Sequence, residues 1–219
     1  AALIIEPIQA EGGDNHFRPE FLAALRQLCD ENDMLFICDE VQTGVGLTGS
    51  MWGFQTMGVV PDLFAFGKKM QVCGFASSSR IHEEPENVFV VSSRINSTWG
   101  GNLVDMVRSR RYLEIIEAEG LVGNAREVGS FLLGKLKELA AEFPGRMTNV
   151  RGRGLFIAFD LPDGATRGKV LATWLQKHNV MGLACGESSV RLRPTLTLSK
   201  EEALLGVQRP RATLTEVPG

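Results

Sequence analysis

Short apolar runs alternate with amphipathic stretches through the first half of the chain, and the two kinds of segment have different periods. Residues 2–6 (ALIIE), 34–38 (MLFIC) and 62–66 (DLFAF) are compact apolar runs, which predict buried strands. Phe21, Leu22, Leu25 and Leu28 recur at spacings of three and four, which predicts a helix over 18–32 with those four residues on one face. Pro19 falls in its first turn, where a missing N–H is harmless. A further helix is expected around 49–57. Continuous apolar strands separated by helices predict parallel pairing with both sheet faces covered.

Beyond residue 100 the pattern changes to two long helices, over 101–118 and 121–142, closed by Phe143, Pro144 and Gly145. A second module follows: strands at 147–151 and 154–161, a helix over 167–178, strands at 180–184 and 189–193, and a last helix from about 199. This reads as a smaller α+β layer with its own packing. The tail from Gln208, with two prolines, is expected to fray. The chain therefore divides at 118/119 into part of a larger α/β domain and a small domain. It enters its first strand at AALIIE without an initiator Met, so the neighbouring strands are expected to be encoded upstream.

Composition narrows the partners. The 219 residues are ample for a buried core. With 22% charged residues and a formal net charge of -3, there is no basic field for nucleic acid, and a small-molecule partner fits better. The four cysteines, Cys29, Cys38, Cys73 and Cys185, contain no CxxC pair, and His16, His82 and His178 are too scattered to predict a metal site. Reduced thiols fit a cytoplasmic protein. No apolar stretch approaches the roughly 18 residues of a membrane span, and the N-terminus lacks the pattern of a signal peptide.

Two polar residues at predicted strand ends carry the chemistry. Asp39 closes one apolar run and Lys68 follows the next, twenty-nine positions later. Pyridoxal phosphate needs such a pair: a lysine amine for its aldehyde and an anion to keep its pyridine nitrogen protonated. By spacing alone the pair also reads as a loop acid and a surface lysine. A competing motif lies close by, because Gly44, Gly46 and Gly49 spell GxGxxG after a strand, with Asp62 eighteen residues beyond Gly44. A dinucleotide site needs those glycines to turn straight from strand into helix. Here DEVQT intervenes, and the GxxxxGK pattern of a phosphate loop is absent.

The segments EPIQAEGGD (6–14), FICDEVQTGVGLTG (36–49), PDLFAFGKKMQVCG (61–74) and SRINSTWGGN (93–102), with VRGRGLFIAFDL and VRLRPTLTLS, resemble class III aminotransferases in the family's own order. The resemblance spans nearly the whole chain and is closest to the lysine-using branch, with the 4-aminobutyrate-using branch second. It implies an aspartate-aminotransferase-like fold (fold type I), here the later part of the large cofactor domain followed by the small domain. It also implies a ping-pong transfer of the terminal amine of L-lysine, or a related omega-amino acid, to 2-oxoglutarate in a homodimer with shared active sites.

Residue by residue, the resemblance makes Lys68 the Schiff-base lysine and general acid/base, and Asp39 the partner of the pyridine nitrogen. It makes Val41 the support beneath the ring and Gln42 the amide on its phenolic oxygen. Thr98 matches the residue that reaches the cofactor phosphate of the neighbouring subunit, with Asn96 and Ser97 shaping its loop. Glu11 and Arg191 match a substrate gate, in which the arginine forks onto the oxoacid carboxylate and the glutamate neutralises it when the amine enters. Lys69 rivals Lys68, and Arg193 rivals Arg191, since residues 191 and 193 share a face of a strand.

Three departures stand out: Ala10 where glycine is common, Leu47 where arginine is, and GVQRPR, expected to break the last helix. Family members are about twice this length. The phosphate-cradling loop, the ring-stacking aromatic and another substrate arginine are expected in the other half, so the isolated chain is expected to hold cofactor poorly. A non-catalytic fragment, and a pyridoxal-phosphate racemase or isomerase, are the competing expectations.

Overall fold

The computed structural model describes residues 1–95 and 101–217. In chain order its elements are β1 (Ala2–Ile5), β2 (Ile8–Gln9), β3 (Asn15–His16), α1 (Pro19–Glu31), β4 (Leu35–Asp39), β5 (Leu63–Phe66), β6 (Gly74–Ser77), α2 (Leu103–Ala118), α3 (Leu121–Glu142), β7 (Thr148–Arg153), β8 (Phe156–Asp160), α4 (Gly164–His178), β9 (Leu183–Cys185), β10 (Ser189–Leu192) and α5 (Lys200–Glu216). They form two compact units that interleave in sequence. The first holds Ala1–Pro7, Phe17–Val45 and Trp52–Glu119, and the second holds Ile8–His16, Gly46–Met51 and Gly120–Gly219.

The first unit is built on a sheet of order β1-β4-β5-β6. The β1–β4 and β4–β5 pairs are parallel, whereas β6 returns antiparallel to β5, with Gly74 opposite Phe66. The sequence pattern missed β6, because GFAS is too short and too small in side chain to stand out from a loop. The apolar face of α1 is only partly buried. Leu22 and Cys29 are the buried residues there, whereas Phe21 and Leu28 are 42% and 46% exposed. Asp62 links this helix to the sheet: one carboxylate oxygen accepts the Phe36 N–H at 2.7 Å, Arg26 of α1 at 2.8 Å and Arg80 at 3.3 Å. That oxygen ties α1 to β4 through the half-buried Arg26. The helix expected around 49–57 shrinks to a single 3-10 segment, Gly53–Met57.

The second unit carries an antiparallel sheet of order β7-β8-β10-β9 and a small β2-β3 ribbon. Its core gathers Leu136, Met147, Ile157, Phe159, Trp174 and Val190, all at or below 2% exposure. Gly129 lets α3 come close to the turn between β7 and β8. A Cβ there would lie 2.1 Å from the carbonyl carbon of Gly154. The helix predicted from 167 begins earlier, at Gly164, where the Asp163 carboxylate accepts the Thr166 N–H at 2.7 Å.

The expected fraying of the tail is overturned. Helix α5 runs through Pro210 to Glu216, and Ala203, Val207, Pro210 and Leu214 are buried along one face. Burial of that apolar stripe outweighs the lost hydrogen bond.

Candidate active site

Strand β4 ends on Asp39 and β5 runs beside it in parallel, with Asp39 opposite Ala65. Three residues after Ala65 comes Lys68, so the acid and the lysine lie at the same carboxyl edge of the sheet, where open α/β sheets bind ligands. The Asp39 carboxylate accepts the Val41 N–H at 3.0 Å through Oδ1, a local turn of the kind aspartate favours. Its Oδ2 has no partner among the described residues. Asp39 is half-buried in this chain, and the fully buried acid is its neighbour Glu40.

Glu40 was not expected to matter, and it organises this edge. Its carboxylate accepts the Thr43 hydroxyl at 2.5 Å and the N–H groups of Gly53 and Phe54 at 2.8 and 2.7 Å. Burial pushes its carboxyl above the usual 4.5, against those three hydrogen bonds and the nearby Lys69 charge. It thereby holds the 40–44 turn, which carries Val41 and Gln42. An acid followed by a glycine-rich turn was the available signal, and it looked like every other loop acid.

The two lysines separate cleanly. Lys69 is half-buried, and its Nζ donates to the Gln42 carbonyl at 2.7 Å. Lys68 is exposed, with an amine that makes no hydrogen bond or ion pair among the described residues. Its backbone sits at φ 48°, in the left-handed region that non-glycine residues avoid. Gly67 before it approaches the 41–42 turn closely, since a Cβ there would lie 3.7 Å from the Val41 methyls and 3.1 Å from the Cys73 sulfur. Val41 is thus brought beside the Lys68 turn. The Gln42 side-chain amide has no partner among the described residues.

The GxGxxG run does not form a dinucleotide loop. Gly46 and Gly49 take φ of 84° and 83° within turns, and no helix starts there. The Gly49 carbonyl instead accepts Arg126 Nε and Nη2 at 2.9 and 2.7 Å.

In the second unit the two arginines of β10 and its end also separate. Arg193 Nη2 donates to Asp14 Oδ1 at 2.5 Å, and its guanidinium carbon lies 3.3 Å from the Phe156 ring centroid. Asp14 is fully buried. Burial raises its carboxyl above the usual range, opposed by Arg193, Arg191 and Arg151. Arg193 is thus committed to a buried, stacked pair. Arg191 Nη2 donates to Glu11 Oε2 at 2.6 Å, with the arginine side chain 11% exposed and the glutamate side chain 75% exposed. Arg191 Nε and Nη1 are shielded from water and have no acceptor among the described residues. Shielded donors without an acceptor suit a carboxylate ligand. Glu11 and Arg191 are therefore brought together. Thr98, with Asn96 and Ser97, lies outside the described residues.

Comparison with known proteins identifies the family. The sequence pattern of the family described as Aminotransferase class-III matches residues 1–214. The chain is 52% identical to an L-lysine-epsilon aminotransferase of Streptomyces clavuligerus over 217 residues, covering 99% of this chain and 48% of that protein. A 4-aminobutyrate aminotransferase of Kluyveromyces lactis is 41% identical, with 93% of this chain and 43% of that one covered. A solved lysine aminotransferase from M. tuberculosis superposes with a TM-score of 0.97 at 53% identity, covering all of this chain and 50% of that one. The chain spans about half the length of the curated relatives it matches.

Proposed function

The chain belongs to the class III aminotransferases and has their fold type I architecture, and from that premise we propose that it serves transfer of the terminal amine of L-lysine, or a related omega-amino acid, to 2-oxoglutarate. Residues 1–118 are read as part of the cofactor-binding large domain and 119–219 as the small domain, with 8–16 and 46–51 grouped with the latter in the fold. The observation that carries the reading is Lys68, a strained, uncommitted lysine at the strand edge that also ends in Asp39.

The residues present fit pyridoxal 5'-phosphate. An unpartnered carboxylate oxygen on Asp39, an uncommitted amide on Gln42, an apolar Val41 and a free amine on Lys68 are the donor set the group requires. When bound, it supplies an electron sink that stabilises negative charge developing at the substrate carbon. Lys68 Nζ would be its covalent anchor and the group that moves a proton at the substrate carbon. Asp39 Oδ2 would keep the ring nitrogen protonated. Val41 would support the ring without offering a polar competitor, and the Gln42 amide would donate to the ring oxygen. Thr98 serves the phosphate of a neighbouring subunit, in a homodimer with shared sites.

Glu11 and Arg191 decide which substrate end is accepted. With the glutamate on the guanidinium, the charge is neutralised for an incoming amine. With it swung away, Arg191 presents a fork for the oxoacid carboxylate. Glu11 is 75% exposed and can swing into water, whereas the shielded Arg191 needs a replacement anion when it does, which the oxoacid carboxylate provides. The relatives support lysine as donor, and 4-aminobutyrate is the second reading because of the 41% identical relative. The four free cysteines support a reducing, cytoplasmic setting, and no helix among the described residues is long and apolar enough to cross a membrane.

The test uses the full-length protein that carries this chain, loaded with cofactor. Lys68→Ala should lose the visible absorbance of lysine-bound cofactor and all turnover, while Lys69→Ala keeps the band. An unchanged band in Lys68→Ala would sink the anchor. Turnover of lysine, ornithine and 4-aminobutyrate, each with and without 2-oxoglutarate, identifies the donor and separates transfer from racemisation.

A further inference from the structure

The turn that carries Glu11 is tied down far more heavily than its side chain. It joins β2 to β3, and the N–H groups of Gly13 and Asp14 donate to the Ala10 carbonyl at 3.3 and 2.9 Å. Arg151 crosses it, donating from Nη2 to the Gly13 carbonyl at 2.7 Å and from Nε to the Asp14 carbonyl at 2.8 Å. Arg151 is itself held by Asp160 and by the Ser189 hydroxyl, both at 2.9 Å. The Gly186 N–H donates to the Glu11 carbonyl at 3.1 Å, and a Cβ on Gly186 would lie 2.9 Å from the Gly13 Cα. The buried Asp14 carboxylate completes the clamp by pairing with Arg193, stacked on Phe156.

Two acid–arginine pairs therefore lie side by side with opposite characters. Asp14 and Arg193 are withdrawn from water and fixed by a ring, whereas the Glu11 carboxylate stands in solvent with Arg191 as its one partner among the described residues. A group meant to swing needs a fixed root, because a root that drifts spreads the side chain over positions that miss the guanidinium.

We propose that Asp14 and Arg193 are positioning residues for the Glu11–Arg191 gate: they fix the backbone from which Glu11 moves, so that the glutamate side chain alone switches. This rests on the gate reading above. Loosening the clamp leaves Arg191 poorly neutralised when the amine-bearing substrate enters. It leaves the arginine's own hold on an oxoacid intact, since Arg191 sits in the β10 register opposite Ala158.

The experiment is a double-mutant cycle of Asp14→Asn and Glu11→Gln in the full-length holoenzyme. Each half-reaction is followed separately through the cofactor's absorbance, with L-lysine alone and then with 2-oxoglutarate alone. Asp14→Asn should raise KM for L-lysine about tenfold with little change in kcat. KM for 2-oxoglutarate should hold, and the lysine effect should vanish in the Glu11→Gln background. Equal losses in both half-reactions, or a lysine effect of the same size without Glu11, overturn the proposal and leave a merely structural clamp. If Glu11→Gln alone shifts neither half-reaction, the gate reading falls and the proposal falls with it. If Asp14→Asn does not fold, Arg193→Lys enters the same cycle, keeping a cation for Asp14 but losing the flat stack on Phe156.

Discussion

Replacing Glu40 removes a hub that no feature of the sequence advertised, and the size of the loss follows from its hydrogen bonds. The side chain is 1% exposed and accepts from Thr43 Oγ1, Gly53 N–H and Phe54 N–H. Glu40→Ala strands the buried Gly53 donor and the half-buried Phe54 donor, at about 1–3 kcal/mol each. Some of this is returned, because burial already disfavours the carboxylate, as its raised pKa records. A net loss of about 3 kcal/mol is expected. For a chain of this size that lowers the melting temperature by about 6–12 °C.

Glu40→Gln is the sharper variant. It has nearly the same shape, but one acceptor oxygen becomes an NH2 group that must face the N–H of Gly53 or Phe54. It should be destabilised by about 2 kcal/mol. The pH dependence has a definite sign. Folded Glu40 keeps its proton above the ordinary 4.5, so its contribution is fully present below that value and is lost as pH rises through the folded one. The gap between wild type and Glu40→Gln should therefore narrow toward neutral pH. Melting followed by circular dichroism on the cofactor-free protein, across about pH 4 to 8, measures both quantities. A Glu40→Gln variant that melts with wild type throughout would refute the reasoning, because shape alone would then suffice.

Two further outcomes follow from the titratable groups. Burial first, then Arg151, Arg153 and Arg193, hold the His16 imidazole down to about 3 from its usual 6.5. Its stabilising contribution is present above 6.5 and is lost as pH falls toward 3, so His16→Asn should flatten the acid limb of stability against pH; a limb of unchanged slope contradicts this. Among the cysteines, Cys73 is exposed, Cys29 and Cys185 are buried, and burial pushes the Cys38 thiol up to about 12. A thiol reagent at mildly alkaline pH should label Cys73 first. A fast phase that survives Cys73→Ser would show that burial does not control their reactivity.

The sequence by itself determined the elements whose signal is local. Apolar runs long enough to stand out became β1, β4, β5 and β8. Periodic stretches became α1, α2, α3 and α4, and the strand-edge pair Asp39 and Lys68 could be marked before any coordinate was known. Periodicity and spacing alone did not choose between Lys68 and Lys69, or between Arg191 and Arg193, because adjacent or same-face residues carry the same local signal; only the family resemblance favoured Lys68 and Arg191. Tertiary structure shows how their partners differ: the Gln42 carbonyl accepts from Lys69, and the buried Asp14 pairs with Arg193. Only the fold revealed Glu40 as a hub, since its two backbone donors lie thirteen and fourteen residues away. Only the fold carried α5 through Pro210, because the burial that offsets a broken hydrogen bond comes from residues distant in sequence. Local propensity is written in neighbouring residues, whereas burial and hydrogen-bond commitment depend on what the rest of the chain brings near.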